Sequence, residues 1–376
     1  MQKHVHAALA SAAGPVLRAL YAFRDPKEQV PSEPFLLVAN HVTAADPVLL
    51  ALALKKQMLY FVASEHLMQK GLGSKILRLL YDPIVRRKGD TAVTTVKEML
   101  ATLKAGLNVG VFPEGTCSFD GRNSPFLPTI GKLARAAKCA LVTYRFEGGF
   151  FTLPRWGRGI RRGRYFGHIV RVYTPEELKG MTDAEINAHI ERDLAEDAYA
   201  RIEQEPVAYG SRHRAEYLES AFFLCPRCRR VGTIRTLRDR IRCDCGLDAS
   251  LDAHYRLHGM PYGTLIDWDA DQLAWLQTAA NDPDFSFSDG DVTLWENDDA
   301  HRRIRLASGT LCMTRGAISV GDRSFLLSDV SDMELVRRNL LVFSTHDGHY
   351  QASGKDVLNT RKYMLLYRIW KGVPQS

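Results

Sequence analysis

The sequence predicts an α/β protein whose N-terminal half is a mixed or parallel sheet surrounded by helices. A small zinc-ribbon-like segment and a β-rich C-terminal domain follow it. Continuous apolar runs such as Phe35-Leu-Leu-Val-Ala39 are typical of parallel strands buried on both faces. Helical patterns lie between these runs, and this alternation indicates parallel connections. Four clustered cysteines separate this half from a region of short strands and turn signals.

The composition limits the classes of protein that remain. The 376 residues predict two or three domains, and 45% apolar with 25% charged residues exclude global disorder, collagen and a multi-span membrane protein. No run of 18 uncharged apolar residues occurs, and a cleaved signal peptide is not expected. The formal charge of +7 suits an acidic partner, either nucleic acid, an anionic lipid surface or phosphorylated small molecules.

The elements of the first half follow in chain order. Apolar runs predict strands at 35–39, 58–62, 108–112 and 140–144, and helical patterns fall at 48–56, 72–80, 91–104 and 130–138. A charged amphipathic helix is predicted over 182–204, with Thr182 and Glu185 in capping-box positions.

The N-terminal segment, residues 1–30, is predicted as an amphipathic helix that associates with a membrane. After Pro15, one helical face carries Val16, Leu17, Leu20 and Tyr21. Such a face either packs on the core or lies on a membrane surface.

The stretch Asn40-His-Val-Thr-Ala-Ala-Asp46-Pro47 directly follows a predicted buried strand. Ligands of open α/β sheets bind at the carboxyl ends of strands, so this loop is a candidate site. Asp46 before Pro47 predicts a helix start with Asp46 as the N-cap. The Asp46 carboxylate could also accept a hydrogen bond from His41, which fixes the imidazole tautomer and leaves the other nitrogen as a general base. A plain loop with a capped helix is the alternative.

A second motif, Phe112-Pro-Glu-Gly-Thr116, follows another apolar strand. Glu114 lies just beyond the strand end, where a carboxylate can order a polyol or a backbone amide, and Gly115 permits close approach of a ligand. Between the two motifs, adjacent Arg86 and Arg87 end an extended apolar piece. Arginine recognises phosphate through its planar fork of donors, although paired arginines are also common as solvated surface charge.

The order N-H-x4-D, an apolar stretch ending in Arg, then F-P-E-G-T resembles the glycerophospholipid acyltransferase superfamily, in particular 1-acylglycerol-3-phosphate O-acyltransferases. The resemblance covers about residues 30 to 205. It implies the fold of such a domain over 31–205 and the transfer of a fatty acyl group from acyl-CoA or acyl-carrier protein to a lysophospholipid hydroxyl, with phosphatidate as the leading product.

The resemblance also implies a role for each matching residue. His41 would deprotonate the acceptor hydroxyl, and Asp46 would orient His41. Glu114, Gly115 and Thr116 would help to bind the acceptor. Arg87 would bind its phosphate, and Arg86 could share that role. No covalent enzyme intermediate and no organic cofactor are implied.

Two positions depart from the family pattern. Cys117 follows F-P-E-G-T where relatives often have Arg, and Leu141-Val-Thr143 replaces a strand that usually contains proline. The first departure makes a different lysolipid acceptor more credible.

The glycine-rich segment from Arg155 to Arg164 carries five arginines and Trp156, and it follows Phe150 and Phe151. Aromatic residues beside arginines suit an anionic membrane, RNA or a solvated loop. Given a lipid substrate, we favour a membrane partner over nucleic acid, with the protein peripheral on the cytoplasmic face of the cell membrane.

The second region, 206–260, contains Cys225-Pro-Arg-Cys228, fourteen further residues, and Cys243-Asp-Cys245. Two short loops with two thiolates each predict a closed structural zinc site, with a ribbon hairpin between them. His254 or His258 could replace one ligand. The surrounding arginines favour nucleic-acid binding as the alternative, which would make the protein a non-catalytic adaptor.

The last region, 261–376, is predicted to contain a helix at 270–280, then short strands, then a helix at 357–370. Turn signals occur at Ser288-Asp-Gly290 and Asp347-Gly348. In outline this order resembles a pleckstrin-homology-like domain.

Overall fold

The computed structural model describes residues 2–26, 29–54, 57–64, 83–86, 92–297, 303–336, 338–355 and 358–373. The chain divides into two compact units. The first comprises Met1–Pro154 and Ile160–Gly210, and the second comprises Arg155–Gly159 and Ser211–Ser376. The boundaries predicted from the sequence at 30, 205 and 260 stay predictions.

The first unit combines a sheet with helices. Its strands are β1 (Phe23–Arg24), β2 (Phe35–Ala39), β3 (Leu59–Ser64), β4 (Ile84–Arg86), β5 (Asn108–Val111), β6 (Ala140–Glu147) and β7 (Tyr165–Tyr173). Its helices are α1 (Gln2–Tyr21), α2 (Asp46–Ala53), α3 (Ala92–Lys104), α4 (Ile130–Ala137), α5 (Gly149–Thr152), α6 (Pro175–Lys179), α7 (Asp183–Leu194) and α8 (Ala198–Gln204).

The strands form one sheet in the order β1-β7-β6-β2-β5-β3-β4. Neighbours from β6 to β4 are parallel, and β7 is antiparallel to β6. Every residue of the central strand β2 is buried, as its unbroken apolar run requires. The predicted mixed α/β sheet is therefore confirmed.

A cluster of buried apolar residues packs helices against this sheet. Strand residues Leu36, Val109 and Leu141 pack there with Ile130 of α4 and Ile186 of α7. The amphipathic pattern of these helices therefore determines which face of the sheet they cover.

Three helix predictions need correction or fall outside the described residues. The helix predicted over 182–204 is two helices, because the chain breaks at 195–197 and Asp197 caps α8. The capping box of Thr182 and Glu185 is confirmed. Helix α1 begins far before Pro15, which lies inside it. The helix predicted at 72–80 lies outside the described residues.

The second unit is mainly β. Its strands are β8 (Ile234–Leu237), β9 (Arg240–Cys243), β10 (Leu247–Leu251), β11 (Leu257–His258), β12 (Phe287–Asn297), β13 (Arg303–Met313), β14 (Ala317–Val320), β15 (Arg323–Leu326), β16 (Asp332–Val336), β17 (Leu340–Ser344) and β18 (His349–Gly354). Its helices are α9 (Leu265–Ala279) and α10 (Thr360–Lys371), with a 3-10 turn at Leu218–Ser220.

The strands of this unit form two sheets. The smaller has the order β11-β10-β9-β8 and contains the predicted ribbon hairpin between the cysteine pairs. The larger is antiparallel, in the order β15-β14-β13-β12-β18-β17-β16, so the predicted β-rich C-terminal region is confirmed. The pleckstrin-homology-like topology stays a prediction.

The turn predicted at Ser288-Asp-Gly290 is wrong. Strand β12 runs through it, and the pairing with β13 shifts register between Asp289 and Val292. One extra residue on β12 is accommodated as a β-bulge, with Asp291 at φ 54°. The turn at Asp347-Gly348 does connect β17 to β18.

In the described part of the chain, we find no helix with both the length and the apolar character to cross a membrane.

Candidate active site

The two sequence motifs meet at one edge of the sheet. Strands β2 and β5 are parallel neighbours, so their carboxyl ends lie side by side. The loop after β2 carries His41, and the loop after β5 carries Glu114. Residues 73 positions apart therefore form one site.

Asp46 is the buried centre of this site. It is fully buried, and its Oδ2 lies 2.9 Å from His41 Nδ1. The same oxygen accepts the backbone N–H groups of Val42 at 2.7 Å and Thr43 at 2.9 Å. Oδ1 accepts the hydroxyls of Thr43 at 2.8 Å and of Tyr165. With donors on both oxygens, the carboxylate is held in one orientation.

The predicted helix start differs by one residue from the structure. Ala45 is the N-cap of α2, and Asp46 is the first helical residue, with Pro47 next. The Asp46 side chain turns back to the loop, where it accepts the N–H groups of Val42 and Thr43. Asp46 thus organises the loop that carries His41.

The His41 imidazole lies in an aromatic stack. Its ring centroid is 4.5 Å from that of Phe112, and Phe112 stacks on Phe61 at 5.6 Å. A Cβ at Gly110 would lie 2.5 Å from the Phe61 ring, so only glycine leaves room for this stack. The site therefore depends on a glycine inside strand β5.

The backbone of His41 is clamped on both sides by the loop after β5. Its N–H donates to Glu114 Oε1 at 2.7 Å, and its carbonyl accepts the N–H of Ser118 at 3.1 Å. Glu114 also accepts Asn123 Nδ2 at 3.0 Å and the N–H of Ser124 at 2.6 Å. Both carboxylate oxygens of Glu114 thus bind protein groups.

These surroundings change the pKa of two groups. Burial lowers the pKa of His41, but the charge of Cys117 and the hydrogen bond with Asp46 outweigh it and raise the pKa well above its usual value. Burial raises the pKa of Glu114 to about 7, against the opposing effect of its three N–H donors. Strongly shifted pKa values of neighbouring groups are common at functional sites.

Residues 23–147, which contain this whole edge except Tyr165, match the sequence model of a protein family described as Acyltransferase. The chain carries an acyltransferase domain. The resemblance inferred from N-H-x4-D and F-P-E-G-T is thereby confirmed. The chain is also similar to the crystal structure of the 1-acyl-sn-glycerophosphate (LPA) acyltransferase PlsC from Thermotoga maritima. The TM-score is 0.43 and the sequence identity is 22%, over 51% of this chain and 78% of that chain.

Of the other predicted site residues of the acyltransferase domain, the structure describes some and not others. Gly115 has φ +67°, and a Cβ there would meet no atom within 4 Å. This backbone therefore faces open space beside the partly exposed Thr116. Arg86 ends strand β4, which pairs with β3, and its side chain lies outside the described atoms. Arg87 lies outside the described residues.

Three residues of the site make contacts that sequence reasoning did not predict. Tyr165 reaches Asp46 from β7, 119 residues away, so no local signal could identify it. Asn40 pins β2 to β6, since its side chain accepts the N–H of Phe146 at 2.7 Å and donates to its carbonyl at 2.8 Å. The sequence analysis noted Cys117 only as a departure from the family pattern. Its Sγ lies 3.5 Å from His41 Nε2. The only sequence feature that drew attention to Cys117 was its replacement of the arginine that relatives often have.

The arginine-rich segment does not form the aromatic membrane surface that the sequence suggested. Phe150 and Phe151 are fully buried, and Trp156 is 1% exposed. Arg161 is buried as well, and Arg164 pairs with Glu205. These aromatic rings cannot insert into a bilayer because they are already in the protein interior.

The four clustered cysteines of the second unit converge. Their sulfur atoms all lie within 4.8 Å of one another, with Cys225 and Cys245 3.7 Å apart and Cys228 and Cys243 3.8 Å apart. A tetrahedral zinc site with Zn–S bonds of about 2.3 Å requires sulfur separations of about 3.8 Å. The donor set and spacing therefore fit a metal ion. His258 instead contacts Asp252 at 2.8 Å.

Proposed function

We propose that the acyltransferase domain transfers a fatty acyl group from acyl-CoA or acyl-carrier protein to the hydroxyl of a lysophospholipid. The leading acceptor is 1-acylglycerol-3-phosphate, which would yield phosphatidate. The observation that carries this proposal is the 2.9 Å contact between His41 Nδ1 and Asp46 at the open edge of the sheet. This pair supplies the proton acceptor that hydroxyl attack requires.

The chemistry follows from which imidazole nitrogen is occupied. Nδ1–H donates to the Asp46 carboxylate, which leaves Nε2 to accept the hydroxyl proton. The oxygen then attacks the thioester carbonyl, and the tetrahedral intermediate collapses with loss of thiolate. His41 returns the proton to that sulfur, so no proton is gained or lost.

The loop after β5 and the arginines that follow Val85 in sequence would form the acceptor half of the site. The open backbone of Gly115 and the neighbouring Thr116 would contact the glycerol moiety, and Arg87, with Arg86 beside it in sequence, would bind the phosphate. Glu114 would act through His41, because its oxygens already bind the His41 amide, Asn123 and Ser124. Because Cys117 stands where relatives often have Arg, the acceptor could be another lysolipid. The test therefore uses acceptors with different headgroups.

The test is to incubate the purified full chain with labelled acyl-CoA and lysolipids that differ in headgroup. We expect labelled diacyl product, and we expect His41→Ala to lose about 10²–10⁴-fold in rate. His189→Ala is the matched control, because His189 is partly exposed on α7 and contacts Arg192 instead of Asp46. If no acceptor gives product, with either CoA or carrier-protein donors, the adaptor function gains support instead.

We also propose that α1 attaches the protein to the cytoplasmic face of the membrane. Val16 and Leu20 lie one turn apart and are 68% and 44% exposed. Replacing both with Glu should reduce sedimentation with anionic vesicles, whereas Leu326→Glu, at another exposed apolar position, should not. Equal binding by both variants would exclude α1 as the attachment site.

The cysteine cluster is proposed to hold one structural zinc ion through Cys225, Cys228, Cys243 and Cys245. Four thiolates complete the tetrahedral shell, so no position stays open for catalysis. Several arginines near it pair with acidic groups, as Arg240 does with Asp248 and Arg229 with Asp271, which weakens the nucleic-acid alternative.

A further inference from the structure

The hairpin of strands β8 and β9 presents a basic face to solvent. Strand register places Arg235 directly opposite Arg242. It places Leu237 opposite Arg240, next to the turn. Because side chains alternate along a strand, these four residues lie on one face, and the buried Ile241 lies on the other. The face therefore combines three arginines with one leucine.

Arg235 and Arg242 repel each other in this arrangement, since like charges directly opposite on neighbouring strands destabilise a sheet. The register also places Asp248 of β10 on this face, opposite Arg242. Asp248 is shared between two arginines, with contacts of 2.5 Å to Arg240 and 3.3 Å to Arg242. Arg235 donates to two backbone carbonyls at 2.8 Å. An anion bound between Arg235 and Arg242 would therefore remove a repulsion that the fold leaves in place.

The turn of the hairpin, Arg238-Asp239, adds a fourth arginine and is held rigidly. Arg238 has φ +57°, a conformation that glycine adopts at lower cost in a two-residue hairpin turn. Its carbonyl accepts the N–H of Ala215 at 2.7 Å, and the carbonyl of Asp239 accepts the N–H of Leu251 at 2.9 Å. The tip of the hairpin is thus presented in one orientation.

The neighbouring charges leave the hairpin positive. Its four arginines and two carboxylates, Asp239 and Asp248, give an excess of two positive charges. Arg214, which pairs with Asp239, and Glu219, which accepts the hydroxyl of Thr236 behind the face, cancel each other. The thiolates of the cysteine cluster are negative, but they lie at the end of the hairpin opposite the turn, where β9 ends.

Leu237 distinguishes between the anionic partners that such a face could bind. Its side chain is 65% exposed beside the turn, among arginines. Arginines attract anionic lipid headgroups, and an aliphatic side chain between them gains free energy when it enters the acyl region. Proteins that bind single-stranded nucleic acid stack the bases on aromatic side chains. The residues that the register places on this face include no aromatic side chain, so a lipid surface fits it better.

We infer that the β8–β9 hairpin is a membrane-docking surface of the second unit. Leu237 enters an anionic lipid surface, and Arg235 and Arg242 bind the lipid phosphates. This inference goes beyond the proposed acyl transfer and does not rest on it. It is also independent of the proposed attachment through α1.

The test is sedimentation of the full chain with vesicles of phosphatidylcholine, alone or mixed with phosphatidylglycerol. Arg235→Gln and Arg242→Gln should each weaken binding to the mixed vesicles about fivefold. This loss should shrink as salt rises from about 0.1 M to about 1 M, because screening removes the attraction. Leu237→Gln should weaken binding about tenfold at every salt concentration, since the lost term is apolar.

Strand β15 supplies the matched controls. It carries the exposed Arg323 and Leu326 next to Asp322, so it offers both residue types without an excess of positive charge. Arg323→Gln and Leu326→Gln should leave vesicle binding unchanged. All variants are measured again with Val16 and Leu20 replaced by Glu, so that binding through α1 does not mask the hairpin.

Tryptophan fluorescence like that of the wild type verifies that the second unit of each variant is folded. The inference is overturned if the hairpin variants bind vesicles as the β15 controls do. It is also overturned if the α1 variant with an intact hairpin shows no preference for anionic vesicles. If the hairpin variants lose affinity for a labelled single-stranded RNA and keep their affinity for vesicles, the surface binds nucleic acid and the inference is wrong.

Discussion

The backbone N–H of His41 donates to Oε1 of Glu114 at 2.7 Å and joins the two motifs of the acyltransferase domain. Because β2 and β5 are parallel neighbours, this bond needs no long excursion of either loop. Ser118 completes the clamp at the His41 carbonyl. The position of the imidazole thus depends on the charge state of a buried carboxylate.

The first prediction concerns the pH dependence of the first unit. The pKa of Glu114 is raised from 4.5 to about 7 in the folded protein, so folding favours its protonated form. The stability that this group contributes is present at low pH and is lost as the pH rises from about 4.5 to 7, a change of about 3 kcal/mol. Glu114→Gln cannot titrate, so the difference in stability between wild type and variant should change by about 2.5 kcal/mol between about pH 5 and pH 8, since part of the titration lies below pH 5.

Hydrogen exchange of the β2 and β5 amides measures this difference, because the chemical exchange rates cancel when wild type and variant are compared at one pH. Glu177→Gln is the control, since Glu177 lies at the surface on α6. A difference between wild type and Glu114→Gln that is the same at both pH values would contradict the assignment.

The second prediction concerns Tyr165, whose hydroxyl donates to Asp46 Oδ1 in the buried interior. Tyr165→Phe removes a donor that stabilises the carboxylate, so Asp46 should hold the imidazolium of His41 more strongly. We expect the acid limb of kcat/KM for the acceptor to move to higher pH, and unfolding to cost about 1–3 kcal/mol less.

Tyr173→Phe is the matched control. Tyr173 is also buried in the first unit, and its hydroxyl donates to Asp193 at 2.6 Å. It should lose comparable stability without moving the pH profile. If both variants shift the profile equally, Tyr165 has only a structural role.

Much of the acyltransferase fold could be predicted because its strands are local patterns. The apolar run of β2 and the capping box at Thr182 act over a few residues, and the structure shows both. The break between α7 and α8 was missed because the apolar periodicity continues across 195–197, while Asp197 starts a new helix by accepting two backbone N–H groups. A competing local cap outweighed the longer pattern.

The site was less predictable because its contacts are distant in sequence. His41 and Asp46 share a loop, so their contact could be anticipated from spacing. The approach of Cys117 to His41 and of Tyr165 to Asp46 depends on strand order, which no single segment encodes. Sequence reasoning therefore found the contact between His41 and Asp46 but not the side chains that surround this pair.

The third prediction separates the role of Arg86, which ends β4, from that of Arg87, the next residue in sequence. Arg87→Ala should raise the KM of the acceptor more than that of the donor, because a bidentate phosphate contact affects only the acceptor half of the site. Arg87→Lys should recover less than full affinity, since an ammonium lacks the planar fork. Equal effects on both substrates would argue against phosphate binding, and an effect confined to Arg86→Ala would move the role to Arg86.

The last prediction concerns zinc in the second unit. All five tryptophans of the chain, including the fully buried Trp268, lie in this unit, so tryptophan fluorescence excited selectively reports on it. The indole of Trp268 donates to the carbonyl of Leu224 at 3.0 Å, next to Cys225. A ribbon of this size has too small an apolar core to fold without its metal, so chelation should unfold it and change the fluorescence.

Metal analysis should find one zinc per chain in protein prepared without chelator, and Cys228→Ser should lower that content. Cys312→Ser, in the same unit and outside the cluster, should retain it. Acyl transfer should persist at first after chelation, since no ligand belongs to the His41 site. Immediate loss of transfer while the first unit stays folded would show that the metal supports catalysis, and a metal-free wild type would refute the zinc site.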